Sequence, residues 1–593
     1  MMERNGVLVQ QKYMEYLGST MGFIVSLYLA FIVDGILVSQ LISPAAFAAI
    51  NLTMPVYYAR NILFFLFVDG GSVLAAQFIG ARDRESCACV FTISIGWGAA
   101  AMTVLGILGC LLLSPAADLL AGDSSLQDEV AEYLLPLWLT GPLLIFTNGV
   151  SSFLRLEGLH KLAIAIPVAA NICNLGFDYL FIAVFGWGIA GAGWATGAGY
   201  ACSLLLLVPY LRRPDRNWHF STDSAANNRI FRRVMAVGLP MAMIPLGLVL
   251  RNFAVNSIAV ETLGDMGALT VSLCNAALLC ALMFADGSST AFASVCGALY
   301  GERDYVGVLL VLKRALRLTF GLCLLIFLLI FIYPAEFIRF YGVENITPEM
   351  ILYLRVSIIY MLFLAHVFIL RAFYQATHQE QAAAIFSLLE GVVLVICLFF
   401  LLSKVSLTLM WAAPALAAVL AAGWLVWYMR RKALQMGRDG FLLMQREEAS
   451  AAWEASIPAA VEAAAQAARA VEEFCARHQY IDSRQSYAAQ VTVEELCINI
   501  IEQGGLSAAD HIDVFLHLQK EPVSQITVKV RDAGRQFNPL VFLAEQREEF
   551  SGLLMVSKLT TRINYDYARV LGFNTTIVTI GKRGQNEVQL PDL

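Results

Sequence analysis

Two groups of residues in this chain have the types and the spacing to do chemistry. Asn171, Asn174 and Asp178 recur at intervals of three and four, so a helix puts all three on one face, inside a run that is otherwise apolar. Asp34 sits in a second apolar run, Phe31-Ile-Val-Asp34-Gly-Ile-Leu-Val. A carboxyl group at membrane depth needs a wet cavity, a partner or a proton, and the last of these lets it load and release a proton. The plainer alternative is a hydrogen-bond knot that fixes helix packing. The second group lies near the C-terminus. Glu495, Asn499 and Gln503 fall at i, i+4 and i+8 on one helix face, followed by Val530-Arg-Asp532-Ala-Gly534 at a strand end and by Ser551-Gly552-Leu-Leu opening a loop.

The elements that must hold these groups follow from composition. The 593 residues are 59% hydrophobic and 15% charged, far more apolar than a soluble globular chain. Charge is uneven: charged residues form about 22% of positions 451–593 and about 12% of the rest, which marks a soluble C-terminal domain. The net charge of −6 offers no basic face, so nucleic acid is excluded as a partner. The twelve cysteines contain no CxxC pair and read as small core hydrophobes.

Hydropathy predicts twelve spans, near 20–42, 53–80, 90–114, 132–154, 162–185, 189–211, 233–258, 268–298, 311–333, 350–373, 381–403 and 406–429. Basic residues from Arg82 and Arg84 through Arg212 and Arg213 to Arg430-Arg-Lys432 fall on one side, which the positive-inside rule makes cytosolic, with both termini. The first span reads as retained, not as a cleaved signal. The halves repeat. Phe67-Val-Asp69-Gly-Gly-Ser72 ahead of Gly80-Ala-Arg-Asp83 echoes Phe284-Ala-Asp286-Gly-Ser-Ser289 ahead of Gly301-Glu-Arg-Asp304, and Leu154-Arg155 echoes Leu370-Arg371. Six spans per half give both halves the same orientation. The expected architecture is therefore a polytopic α-helical membrane protein of two six-helix lobes related by a pseudo-two-fold axis along the membrane normal. The expected boundaries are 1–220 and 221–435 for the lobes, 436–450 for a linker and 451–593 for the tail.

The first-span Asp34, the Gly80–Asp83 loop, and Asn171, Asn174 and Asp178 followed by Gly188-Ile-Ala-Gly-Ala-Gly-Trp-Ala-Thr196 resemble the multidrug and toxic compound extrusion (MATE) family over about residues 10 to 435. The resemblance implies two lobes in a V and export of organic cations coupled to entry of protons or sodium ions, with no cofactor. It also implies a coupling network of Asp34, Asn174, Asp178 and Thr196, as in the DinF-like branch, with Asn171 beside it. An asparagine that it places on the fourth span falls at Asn148, with Ser151 as competitor. The second lobe departs from the pattern: Val395 stands where Asp178 repeats, and Arg251 where Asp34 does. Arg251 leaves an anionic or lipid-like substrate open.

The tail resembles the histidine-kinase-like ATPase fold, nearest the anti-sigma-factor serine kinases. A helix over 451–477, a second over 486–502 and strands over 511–519, 525–531 and 574–580 are expected to form an α/β sandwich. The resemblance gives Asn499 the Mg²⁺ of a bound Mg-ATP, Asp532 the adenine amino group, and Gly534 and Gly552 close backbone approach to the nucleotide, with Glu495 on the same helix face. Two defects accompany it: Gln503 replaces the family's helix histidine, and the second glycine box shrinks to Gly552. Whether the tail is an enzyme stays open. A regulated exporter with a cytosolic regulatory protein as the tail's partner competes with a membrane-tethered signalling kinase whose transporter half is a sensor. Lesser expectations are Asp69 and Asp286 as hinges or caps, Glu390 as a second protonatable site or a packing residue, His366 as a core histidine and Arg60 snorkelling to the interface.

Overall fold

The computed structural model describes all residues except 1–5, 81–82, 123–124, 158, 214–217, 222–223, 302–303, 438–441, 443–451, 521–523, 546–551, 569–571 and 582–593. Arg82, Arg216, Arg303, Ser551 and most of the expected linker therefore lie outside the described residues. The membrane part is helical from end to end. The helices are α1 Val7–Leu41, α2 Met54–Ala75, α3 Glu85–Leu111, a bent α4 (Gln127–Leu139 with Gly141–Leu156), α5 Lys161–Val184, α6 Gly188–Leu211, α7 Ser224–Leu263, α8 Asp265–Gly301, α9 Tyr305–Ile332, α10 Pro348–Ala376, α11 Glu380–Ser403 and α12 Leu409–Gln435. Among the described residues ten helices are long and apolar enough to cross a membrane, eleven with the α4 pair. α1 is a further helix of 35 residues.

Local sequence explains the breaks. α4 bends by 53° at Thr140, between Pro136 and Pro142, where each proline removes a backbone donor and the Thr140 hydroxyl donates to the Pro136 carbonyl at 2.8 Å. Single π-helical turns occur in α2 at Phe65–Asp69, α3 at Thr92–Trp97, α4 at Ile145–Gly149, α5 at Tyr179–Val184 and α11 at Leu389–Val393. Such turns widen the helix and leave carbonyls short of partners, and they cluster at functional positions. Asp69, Asn148 and Glu390 lie within three of the five and Asp178 immediately precedes another, while the turn at Thr92–Trp97 carries none of the candidate residues.

The repeat seen in the sequence is physical. Ser72 donates to the Asp69 carbonyl at 2.9 Å, and Ser289 to the Asp286 carbonyl at 3.0 Å. Asp69 lies within electrostatic reach of Arg155, and Asp286 of Arg371. Asp83 caps α3 by accepting from the Ser86 amide at 3.0 Å; Asp304 caps α9 by accepting from the Gly307 amide at 2.8 Å.

The lobes meet through α1 against α8 and α7 against α2. Towards the tail, the Tyr28 hydroxyl donates to Asp286 at 3.3 Å. α2 and α7 touch backbone to backbone: a Cβ on Gly70 would lie 2.5 Å from the Gly238 Cα, and one on Gly238 only 2.0 Å from the Leu66 carbonyl oxygen. At the far end, the Ser125 hydroxyl donates to Asp265 at 2.6 Å and the Asn256 amide to the Asn51 carbonyl at 3.3 Å.

The tail is a two-layer sandwich. Strands β1 Ala452–Pro458, β2 His511–Gln519, β3 Gln525–Asp532, β4 Arg562–Ala568 and β5 Phe573–Ile580 form one antiparallel sheet in the order β1-β2-β3-β5-β4. Helices α13 Val461–Ala476 and α14 Ser483–Gly504 bury Ala464, Ala468, Val493, Leu496 and Ile500 in one core with Val514, Leu516, Val528 and Val530 of the sheet. α14 starts in a capping box formed by Asp482 and Gln485, an arrangement that contributes about 1 kcal/mol. Two short helices, α15 Pro539–Glu545 and α16 Gly552–Leu559, follow β3. Two expectations are corrected. The helix expected over 451–477 begins only at Val461 and is preceded by β1, and Gly552 opens a helix instead of a loop.

Candidate functional site

In the first lobe the structure joins residues from α1, α5 and α6. Asp178 is fully buried near the end of a regular stretch of α5, and its carboxyl is a hydrogen-bonding neighbour of that of Asp34 on α1, which is half-buried. Neither Asp178 oxygen has a donor among the described residues. The Asn174 amide, one turn below, donates weakly to the Thr196 hydroxyl on α6 at 3.4 Å, and that hydroxyl donates to the Ala192 carbonyl at 3.3 Å. α5 and α6 approach this closely because of a glycine: a Cβ on Gly199 would lie 2.5 Å from the Ala170 carbonyl oxygen and 3.0 Å from the Asn174 Cβ. Asn171 is half-buried one turn further along α5. Asn148 occupies the π-turn of α4 and is also half-buried, whereas its competitor Ser151 is buried and donates back to the Thr147 carbonyl at 2.9 Å.

Sequence reasoning missed two members of this region. Tyr133 on α4 lies within electrostatic reach of both Asp34 and Asp178, and of Arg60 on α2. Arg60 does not snorkel. It is 2% exposed, its Nε and Nη2 have no acceptor among the described residues, and its electrostatic neighbours are the phenols of Tyr57, Tyr133 and Tyr200. Counting apolar neighbours in the sequence cannot tell an inward-facing arginine from a lipid-facing one.

The second lobe builds a different centre. Glu390, 7% exposed, accepts a 2.5 Å hydrogen bond from the Tyr360 hydroxyl, with Arg251 and Arg371 within electrostatic reach. Val395 is buried, as a core residue would be. His366 is exposed and meets Phe320 edge-on at 6.0 Å, so it is not a core histidine.

In the tail, the Asn499 side-chain amide donates to the Glu495 backbone carbonyl at 2.8 Å, one turn back on α14. The Glu495 carboxylate packs against Gly552, where a Cβ would lie 1.7 Å from Oε2. Burial, then the charges of Glu494 and Glu502, push the Glu495 carboxyl above its ordinary value. Asp532 is 2% exposed and accepts from the Gly534 amide at 2.8 Å and from Asn574 Nδ2 at 2.9 Å. Burial pushes Asp532 up to about 6, against the lowering effect of those two bonds. Cys497 on the buried side of α14 is within electrostatic reach of Asp532, so this helix packs over the end of β3. Gly534 is required by packing: a Cβ there would lie 2.7 Å from the Gly504 carbonyl oxygen at the end of α14. Asn574 escaped the sequence reading because its partner lies 42 residues away. Among the described residues no group of three or more His, Cys, Asp or Glu side chains could hold a metal ion by itself.

The profile of the MatE family matches residues 21–180 and 240–401, one block in each lobe and together more than half of the chain. The chain belongs to the MATE family. The profile of the histidine kinase-like ATPase domain matches residues 457–580, so this MATE protein carries that domain as its tail. Among curated proteins it is 23% identical over 401 residues to the multidrug export protein MepA of Staphylococcus aureus (strain bovine RF122 / ET3-1), covering 65% of this chain and 86% of the relative. It is 22% identical over 414 residues to the same-named protein of Staphylococcus saprophyticus, covering 67% and 88%. Two solved structures share the fold. An inward-facing multidrug resistance MATE family transporter aligns with a TM-score of 0.61 at 23% identity, covering 69% of this chain and 95% of that one. A Pyrococcus furiosus transporter described as having a binding pocket of reversed polarity aligns at 0.56 and 24%, covering 73% and 100%.

Proposed function

We propose that this MATE protein is a secondary antiporter that exports organic cations from the cytosol in exchange for protons through the Asp34–Asp178 pair, with its tail on the cytosolic side as a nucleotide-binding regulator. The observation that carries this reading is the burial of Asp178 against Asp34 without any other donor. Two like charges at hydrogen-bonding distance in a low-dielectric site cannot both ionise, so a proton held between them is the economical state. A cationic substrate entering the first lobe favours the ionised pair and expels that proton; a proton returning from outside expels the substrate. Asn174 and Thr196, bonded to each other, and the half-buried Asn171 and Asn148 supply polar groups around the two acids without bonding Asp178 in this state. The printed names of the staphylococcal relatives, multidrug export proteins, support a drug-like organic cation as substrate.

In the tail, Asp532 would accept from the adenine amino group. Asn499, whose amide nitrogen is engaged by its own helix and whose oxygen remains available, would with Glu495 hold a Mg²⁺ ion at the phosphates. That ion supplies charge neutralisation of the phosphates. Glu495 against Gly552 stands where phosphates would approach the start of α16, which favours regulation over rapid turnover. Arg251 and Arg371 beside Glu390 support a second reading, in which the second lobe takes an anionic or lipid-like group.

Uptake of an organic cation into inverted vesicles under an imposed ΔpH, then under ΔpNa, without nucleotide, tests the proposal. Accumulation under ΔpH that is lost in Asp178→Asn is expected. Uptake that needs ATP hydrolysis and survives collapse of both gradients would reverse it.

A further inference from the structure

We infer that the open face of the tail's sheet is a docking surface for the tail-side end of the second lobe, clamped by Asp304 and Arg531, and that nucleotide on the opposite face of the same strands loosens the clamp. The docking stands on its own geometry; the nucleotide clause rests on the reading of the tail given above.

Helices α13 and α14 cover one face of the sheet, and the other face meets the membrane part. Arg531 Nη1 lies 2.7 Å from Asp304 Oδ2, with the two side chains 0% and 1% exposed. The Arg531 guanidinium also lies over the rings of Phe515 and Phe573, 5.1 and 5.2 Å from their centroids. Phe573, fully buried, belongs to the same hydrophobic cluster as Leu8 and Val9 of α1, Leu299 of α8 and Val308 of α9, and the start of α1 also touches β2. A guanidinium and a carboxylate buried this completely form a specific joint, because any docking that places a different group opposite either one leaves a buried charge uncompensated.

The repeat isolates what is special about it. Asp83 and Asp304 cap equivalent helices in the same way, yet Asp83 is exposed while Asp304 is buried under Arg531. Capping needs only the carboxylate oxygen that meets the amide, so the second oxygen of Asp304 is the one recruited by the tail.

Strand alternation ties the joint to the pocket. Successive residues of a strand point to opposite faces. On β3, Arg531 points to the lobe and Asp532 away from it; on β5, Phe573 points to the lobe and Asn574 donates to Asp532. Ala533, between Asp532 and Gly534, packs against the same lobe cluster. Arg531 and Ala533 alternate with Asp532 and Gly534 along one segment, so a ligand that shifts Asp532 and Gly534 also shifts the residues seated on the lobe. Linkage makes the effect reciprocal: a weakened joint tightens nucleotide binding by the same factor.

The test uses the full chain in lipid nanodiscs, with amide hydrogen exchange read over 301–308 and 573–577 and affinity read with a fluorescent ATP analogue and Mg²⁺. Asp304→Asn keeps an asparagine cap and removes the charge. It is expected to raise exchange in both segments at least about tenfold and to tighten the analogue at least about fivefold. Arg531→Met should reproduce both effects, and Asp83→Asn neither. Added analogue should raise exchange over 301–308 in the unsubstituted protein. Exchange unchanged in both Asp304→Asn and Arg531→Met overturns the docking. Raised exchange with unaltered affinity overturns the coupling. No binding of the analogue at millimolar concentration removes the nucleotide reading, and the exchange data still decide the docking.

Discussion

The two lobes descend from one plan and keep different parts of it. Both retain the Asp–Gly–x–Ser turn, in which the serine three residues on bonds the aspartate carbonyl, both retain an arginine facing that aspartate, and both cap the following span with an aspartate. The chemistry between these fixtures has diverged. The first lobe has a buried carboxyl whose neighbour is another carboxyl; the second has a buried carboxyl bonded to a tyrosine, with two arginines nearby. Caps and turns answer to backbone geometry, which is the same in both halves. The buried acids answer to what must bind, which need not be. One lobe sets a carboxyl against a carboxyl, which the proposed mechanism uses to hold a proton; the other balances a carboxylate with cations.

Replacing Asp34 or Asp178 by asparagine gives the sharpest contrast. Each substitution preserves size and hydrogen bonding but cannot exchange a proton, so gradient-driven export should fall at least about a hundredfold, the lower end of what a positioned proton-transfer group contributes. Glu390→Gln should reduce it by less than about tenfold, since the Tyr360 bond survives in neutral form. Equal losses in both lobes, measured in the same vesicles, would erase the asymmetry.

Next in size is the contrast between lobes and tail. Asp532→Ala and Asn499→Ala should each weaken binding of the ATP analogue by about tenfold or more, the scale of a lost hydrogen bond to a charged group, while uptake under ΔpH continues. With the Asp532 carboxyl at about 6, an ionised acceptor is present above that pH and lost below it, so affinity should fall as the pH is lowered through about 6. Calorimetry between pH 5 and 8 reads this directly, and a flat profile would remove Asp532 from the recognition of base.

The smallest effects separate fixtures from chemistry. Thr196→Ala removes a hydroxyl that accepts only a 3.4 Å bond and should slow export about two- to threefold. Asp83→Asn exchanges one good cap for another at an exposed position, and thermal unfolding should register a change of less than about 0.5 kcal/mol. A larger loss would mean that the loop of the first lobe also holds something.

Much of this was legible because hydrocarbon imposes a simple code. The helices occur in the order of the expected spans, and Asp34 and Asp178 were found because a charge in an apolar run is conspicuous. Strands 511–519 and 525–531 alternate cleanly and were read to within a residue. β1 was absorbed into a helix because Ala-Trp-Glu-Ala-Ser-Ile-Pro runs into an alanine-rich segment of high helix propensity, and only pairing with β2 makes it a strand. β4, Arg-Ile-Asn-Tyr-Asp-Tyr-Ala, alternates as an edge strand should, with Ile563 buried and Tyr565 and Tyr567 half-buried between exposed neighbours, so its signal stood in the sequence and was passed over. Arg60, Asn574 and the Arg531–Asp304 pair were out of reach because each depends on a neighbour brought close by the fold; for the last, 227 positions intervene.

The backbone contact between Gly70 and Gly238 has a mechanical consequence. At this one point no side chain separates α2 from α7, so it is where the helices can turn against each other with least repacking, as a lever turns on a bare fulcrum, with Phe67 and Phe231 meeting beside it at 6.3 Å. From Gly238 to Leu263 at the far end of α7 is about 37 Å of helix, so a tilt of about 10° moves that end through roughly 6 Å. That stroke is enough to part the Asn256–Asn51 and Ser125–Asp265 contacts, while the fulcrum itself stays in register. A single methyl group added at Gly238 would lie 2.0 Å from the Leu66 carbonyl and act as a wedge, jamming the lever at the point where it moves least.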